Sequence, residues 1–200
     1  VERSRGLGDV YKRQGLGKTI QVISFLEKMY ENNKESHVLL IVPASLLGNW
    51  SKEIDKFAPR MTYHILHGKT NILDEDCFAT ITTYGMALRN EYLQERVWDC
   101  LILDEAQAIK NPATKQTKAM KKIPSKMRIA MTGTPIENDL SNLWSLFDFL
   151  NKGLLGSATD FKNYTKKVQA HPEYITKLKM MVSPFILRRL KTDKSIISDL

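Results

Sequence analysis

Two hundred residues suit one domain of ordinary size, and a 42% apolar content is that of a globular chain, not a disordered one. No apolar run approaches the roughly 20 residues of a membrane span, and no charged-then-apolar leader with a small-residue cleavage site is seen, so neither a membrane nor a secretory reading is supported. A net charge of +8 suits a polyanionic partner without demanding one. Cys77 and Cys100 both lie in apolar, strand-like runs and predict core thiols, not a disulfide framework. His64 and His67 have no further ligand types beside them, so no metal site is expected there.

Val1 to Gln14 shows no apolar period, and its stretch Arg5 to Gln14 resembles a translated sequencing adapter; residues 1–14 are read as a non-native leader. Gly15-Leu16-Gly17-Lys18-Thr19 then precedes an apolar-periodic helix, Ile20 to Tyr30, with Ile20, Ile23, Leu26 and Tyr30 on or near one face. Glycines ahead of a helix let backbone N–H groups approach a phosphate, and the helix dipole favours the anion. Lys18 would reach the β- and γ-phosphates and the Thr19 hydroxyl would bind magnesium. A full phosphate-loop pattern wants a further glycine at the position held by Lys12. A glycine-rich turn beside a surface lysine is the plainer alternative.

Val38 to Val42 is a buried-strand run ended by Pro43. Ala44 opens a helix reaching about Phe57, with Ser45 as its cap and Trp50 and Phe57 as core anchors. Ser45 also lies on a strand-to-helix loop, where open α/β sheets make phosphate contacts. Tyr63 to Leu66 and Ala79 to Tyr84 read as strands. Thr83 and Tyr84, at a strand's carboxyl end, would touch a nucleic-acid backbone, though threonine is equally a common strand former. Met86 to Val97 reads as a helix.

Cys100 to Leu103 is a short apolar strand running into two adjacent acids, Asp104 and Glu105. Carboxylates at such a tip are costly to desolvate unless something positive sits there, and a magnesium–nucleotide complex supplies that charge. The first acid would hold the metal and the second polarise an attacking water. An ordinary strand end with two solvated acids would look the same, so the rest of the chain must decide. A helix from about Ala113 to Lys122 puts Lys115, Lys118 and Lys122 on one face, with Lys121 beside it. Ile129 to Met131 is a buried strand ending in Thr132-Gly133-Thr134-Pro135, a small hydroxylated tip suited to sensing a γ-phosphate. Asn138 to Leu150 is an apolar helix, and the tail from Asp160 is helical and basic. Alternating strands and helices give a parallel sheet covered on both faces.

Together these blocks resemble the first motor lobe of the Swi/Snf-type DNA-translocating ATPases, from Gly15 to about Lys194. The matching segments are Gly15 to Gln21, Val42 to Trp50, Thr82 to Tyr84, Asp104 to Gln107 with Ile109 to Asn111, Thr132 to Asn138 with Leu143 to Phe147, and Phe185 to Asp193. The acidic box carries Gln107 where His is commoner. The resemblance implies a RecA-like P-loop three-layer sandwich over residues 15–155, its first strand missing, and a helical extension over 156–200. It implies ATP and Mg2+ as cofactors, with Gly15, Leu16, Gly17, Lys18, Thr19 and Ile20 around the nucleotide and Thr19 and Asp104 on the metal. Glu105 would activate water, and Gln107 with Thr132, Gly133 and Thr134 would couple hydrolysis to movement. Ser45, Thr83, Tyr84, Lys110 and Asn111 would face the backbone of double-stranded DNA, and Arg188 and Arg189 would sit near a lobe interface.

The expected protein is a monomeric, DNA-dependent ATPase of the bacterial nucleoid, or of a nucleus. It needs a second lobe in cis that this chain lacks, so the 200 residues alone are expected to be nearly inert. A non-catalytic DNA-binding module with a decayed ATP site is the alternative. A GTPase is disfavoured, because no Asn-Lys-x-Asp appears.

Overall fold

The structure is a computed structural model and describes residues 17–68, 73–133, 140–171 and 173–187. Residues 15–16, 134–139 and 188–189, on which some sequence expectations fall, lie outside them, as does the leader.

Helix α1 (Lys18–Asn32) leads into β1 (Val38–Val42), a 3-10 turn (Ala44–Leu46) and α2 (Leu47–Phe57). Strands β2 (Tyr63–Leu66) and β3 (Ala79–Thr83) follow, then two short helices, α3 (Tyr84–Arg89) and α4 (Glu91–Glu95). Next come β4 (Trp98–Leu103), a 3-10 turn (Ala106–Ile109), α5 (Lys115–Lys122), β5 (Ser125–Ala130) and α6 (Leu140–Leu150). Every strand pairing is parallel, in the order β2-β3-β1-β4-β5.

Alternation along the central strands divides the core in two. Val38, Leu40, Val42, Cys100 and Ile102 pack with Val22, Ile23, Leu26, Trp50 and Ile54, so α1 and α2 cover one face. Leu39, Ile41, Leu101 and Leu103 pack with Met86, Leu93, Ile109, Met120, Leu146 and Phe149, so α3 to α6 cover the other. Because both faces are covered, β1 is buried at every position, and its run of apolar residues is continuous instead of alternating. Burying one such side chain contributes about 1.5–3 kcal/mol.

Several local expectations change. The buried stripe of α1 is Val22, Ile23 and Leu26, whereas Ile20 is 42% exposed. Ser45 caps nothing: α2 starts at Leu47, with Leu46 at its N-cap and no side-chain cap bond. Phe57 is 38% exposed, at the end of α2 and away from the core. The helix expected over Met86 to Val97 is broken at Asn90, whose side chain accepts from Leu93 N–H and caps α4. Cys100 is buried in β4, but Cys77 is only half-buried and lies before β3, its thiol donating to Asp74 Oδ2 at 3.2 Å. Lys121, beside the face of Lys115, Lys118 and Lys122, is not solvated but pairs with Asp148 at 2.8 Å.

The compact unit that holds the sheet runs from Thr19 to Gly156. From Ser157 a second unit contains α7 (Ala158–Ala170) and α8 (Glu173–Val182). A capping box between Ser157 and Asp160 starts α7, and the Tyr164 hydroxyl donates to the Tyr174 carbonyl at 2.7 Å to join the pair.

Candidate nucleotide site and nucleic-acid face

In a parallel α/β sheet, ligands bind beyond the carboxyl ends of the strands. Here that edge is level: Val42 lies beside Thr83, and Ile41, Leu103 and Ala130 lie in one register row. Residues 43–45, 83–84, 104–107 and 131–133 therefore emerge along one rim. Residues 33–37 join α1 to the opposite end of β1, so α1 runs antiparallel to the strands. Its 15 residues span about 22 Å against about 16 Å for the five-residue β1, which carries its first turn, with Thr19, out to the same rim. Gly17, just ahead of α1, has φ 68°, a left-handed conformation that glycine adopts without penalty. No acid stands in that first turn, which leaves the positive helix end available to an anion.

Asp104 is 7% exposed. Its N–H donates to Ile41 O at 2.9 Å and continues the β1–β4 ladder one residue beyond the strand. Its Oδ1 accepts the Glu105 N–H at 2.8 Å, and its Oδ2 accepts Trp50 Nε1–H at 2.8 Å. The Tyr84 hydroxyl donates to the Asp104 carbonyl at 2.7 Å. Burial first, and then the Asp104 and Glu105 charges, push the Tyr84 hydroxyl pKa well above its ordinary value, so it stays a donor at working pH.

Glu105 has φ 49° and ψ 53°, the left-handed region that non-glycine residues seldom occupy. Such a residue stores of order 1–3 kcal/mol of strain and persists where its surroundings hold it. The Ala106 N–H donates to Met131 O at 2.7 Å, and Gln107 Nε2–H donates to Glu105 Oε2 at 2.6 Å. The Thr132 hydroxyl donates in turn to Gln107 Oε1 at 3.0 Å. A chain of side chains thus joins the end of β5 to the second acid.

The rim therefore gathers Asp104, Glu105, Gln107 and Thr132 as the sequence suggested, and carries Gly133 beside them. Lys18 and Thr19 are half-buried at the head of α1. Of the residues expected to face nucleic acid, Ser45, Lys110 and Asn111 are exposed. Thr83 and Tyr84 differ from expectation. Thr83 is 8% exposed and its Oγ1 accepts from Met86 N–H to cap α3, while Tyr84 is 7% exposed with its hydroxyl turned inward. They shape this rim from beneath and do not line it, because Thr83 ends a strand buried at every position and caps the helix whose first residue, Tyr84, turns inward.

Trp50 was legible as a core anchor, and it is 1% exposed, but its bond to Asp104 was not foreseen. The available signal was general: a buried indole N–H needs an acceptor.

For a magnesium ion the donor chemistry fits. Mg2+ takes hard oxygen ligands and is commonly held by one or two carboxylates together with substrate phosphates. Asp104 and the Thr19 hydroxyl offer that set. Among the described residues no group of three or more His, Cys, Asp or Glu side chains is placed to hold a metal ion. No helix of the described residues is long and apolar enough to cross a membrane.

A five-stranded parallel sheet between two helical layers, with a buried carboxylate and a second acid at its carboxyl edge, defines a RecA-like lobe. The chain belongs to the SNF2-related domain family, whose model it matches over residues 12–197. The Sulfolobus solfataricus SWI2/SNF2 ATPase core in complex with dsDNA superposes with a TM-score of 0.88 at 46% identity, over 93% of this chain and 40% of that one. The human DNA excision repair protein ERCC-6-like is 38% identical over 208 residues, covering 90% of this chain and 17% of that protein. The ISWI chromatin-remodeling complex ATPase ISW2 of Saccharomyces cerevisiae is 34% identical over 200 residues, covering 93% and 18%. The chain thus spans less than a fifth of the length of these two relatives.

Proposed function

We propose that this chain is the ATP-binding lobe of a motor that hydrolyses ATP to move along double-stranded DNA. The observation that carries the reading is the chain Glu105–Gln107–Thr132 beside a fixed Asp104, a pre-organised acid pair joined to the next strand tip. Lys18 and the backbone of residues 15–20 hold the phosphates, and Thr19 and Asp104 hold magnesium, which when bound offsets charge on the phosphates. Glu105 orients and polarises the attacking water. Gln107 and Thr132 to Thr134 pass the state of the site to the rest of the lobe. Ser45, Lys110 and Asn111 meet the DNA backbone, so binding is sequence-tolerant and weakens with salt. A second lobe in cis supplies the arginine that completes the site, and the motor works as a monomer in the nucleoid.

The test is DNA-stimulated ATP hydrolysis by the intact protein carrying Lys18→Ala or Asp104→Asn. Both should lose at least about a hundredfold in turnover, as removal of a principal electrostatic group does. Wild-type turnover in either variant would overturn the assignment.

A further inference from the structure

The two apolar clusters that sandwich the sheet need bulk at positions 50 and 84, but they do not need polar atoms there. Trp50 packs among Val42, Leu47, Ile54 and Ile102, and Tyr84 among Leu39, Ile41, Met86 and Ala87. A phenylalanine would fill the place of Tyr84 and most of that of Trp50. Yet the indole N–H and the phenol O–H both reach the same residue, from opposite faces of the sheet: Trp50 grips the Asp104 carboxylate and Tyr84 its carbonyl, at 2.8 Å and 2.7 Å. Both donors are almost fully buried, where a hydrogen bond is stronger than in water, and the Trp50 bond, to a carboxylate, is charge-assisted as well.

The two residues also share a position in the fold. Trp50 lies on the helix that follows the β1 loop bearing Ser45, and Tyr84 begins the helix that follows β3 and Thr83. With Glu105 N–H on Oδ1 and Ile41 O on its own N–H, Asp104 is fixed in backbone and in carboxylate direction.

We propose that Trp50 and Tyr84 are positioning residues that set the orientation of Asp104 for its metal, and that they tie this acid to the two helices that follow the β1 and β3 loops of the rim. The inference rests on the reading of Asp104 as the magnesium-holding carboxylate. A shift of either helix, each of which follows one of those loops, reaches the acid through one hydrogen bond.

The experiment measures equilibrium binding of a fluorescent ATP analogue to the intact protein across a magnesium titration, for Trp50→Phe, Tyr84→Phe and Asp104→Asn. Removing a partner that orients a metal ligand typically costs ten- to a hundredfold in metal affinity. Trp50→Phe should therefore raise the magnesium concentration for half-maximal enhancement about tenfold or more. Tyr84→Phe, which frees only the backbone carbonyl, should raise it by a smaller factor. Both should bind the nucleotide without magnesium within about twofold of wild type.

Asp104→Asn separates the two levels of argument. If it keeps the wild-type magnesium dependence, the metal reading itself fails. If it loses that dependence while Trp50→Phe and Tyr84→Phe keep the wild-type midpoint, only the positioning roles fail. Equal losses of affinity with and without magnesium would also overturn them, since a merely structural role predicts that pattern. Circular dichroism confirms folding. Should Trp50→Phe not fold, Tyr84→Phe, which removes a single oxygen, decides alone.

Discussion

The Thr132 hydroxyl donates to Gln107 Oε1 at 3.0 Å, and the amide nitrogen of the same Gln107 donates to Glu105 at 2.6 Å. The glutamine is therefore oriented by both neighbours: its nitrogen must face the carboxylate and its oxygen the hydroxyl. Motion at the end of β5 is felt at the Glu105 carboxylate through this side chain, beside the backbone bond from Ala106 to Met131. Thr132→Val keeps the shape and removes the donor. A hydrogen bond of this kind contributes about 1 kcal/mol net, or somewhat more beside a charge. DNA-stimulated turnover should fall about tenfold with the Michaelis constant for ATP nearly unchanged, and Thr132→Ser should restore it. Unaltered stimulation in Thr132→Val would remove Gln107 from the relay.

Arg128 lies within the same strand, β5. Its guanidinium donates to Ser125 Oγ and to the carbonyls of Phe149, Lys121 and Ile123, and it stacks 5.0 Å from the Phe149 ring. One planar fork thus ties β5 to the ends of α5 and α6. Burial lowers its pKa, with Asp148 opposing, but it remains charged. Lysine carries no fork and cannot satisfy those acceptors together. Arg128→Lys should cost about 2 kcal/mol, which for a domain of this size lowers the melting temperature by about 4–8 °C. Calorimetry on the variant checks it; a melting temperature within a degree of wild type would mean that the carbonyls find other donors.

How much of this was legible beforehand depended on whether the signal was local. Continuous apolar runs such as Val38 to Val42 announced buried parallel strands, and acids directly after Leu103 announced the rim. Motif residues on loops, Asp104, Glu105, Gln107 and Thr132, came out together because the loops all leave one edge. Long-range polar contacts did not announce themselves. Nothing near Trp50 in the chain names Asp104 as its acceptor, since the two meet only through the packing of α2 on β4. Tyr84 was misread for the same reason. Its place at a strand end suggested exposure, but the helix that starts with it turns the ring inward. Arg128 carries no local signal of its role, because most of its acceptors are backbone carbonyls, and carbonyls leave no mark in a sequence.

At the amino-terminal edge of the sheet, Asp99 gives a pH prediction of definite sign. Its Oδ2 accepts the His37 N–H at 2.8 Å and its Oδ1 pairs with Lys126 Nζ at 2.7 Å, which links β4 to β1 and β5. Burial alone would raise its pKa, but the Lys126 bond and the His37 N–H outweigh that and lower it. A carboxyl whose folded pKa lies below its unfolded value of about 3.9 stabilises the fold above that pH. The contribution is lost as pH falls through the folded value, in a window below about pH 4. Lys126 is 72% exposed, so screening keeps the pair under about 1 kcal/mol. Asp99→Asn retains an acceptor for His37 and removes only the charge. Urea midpoints at pH 7 should show a small deficit for the variant, and the gap to wild type should close on acidification from pH 5 to pH 3. A gap of constant size across that range would show that the charge on Asp99 contributes nothing.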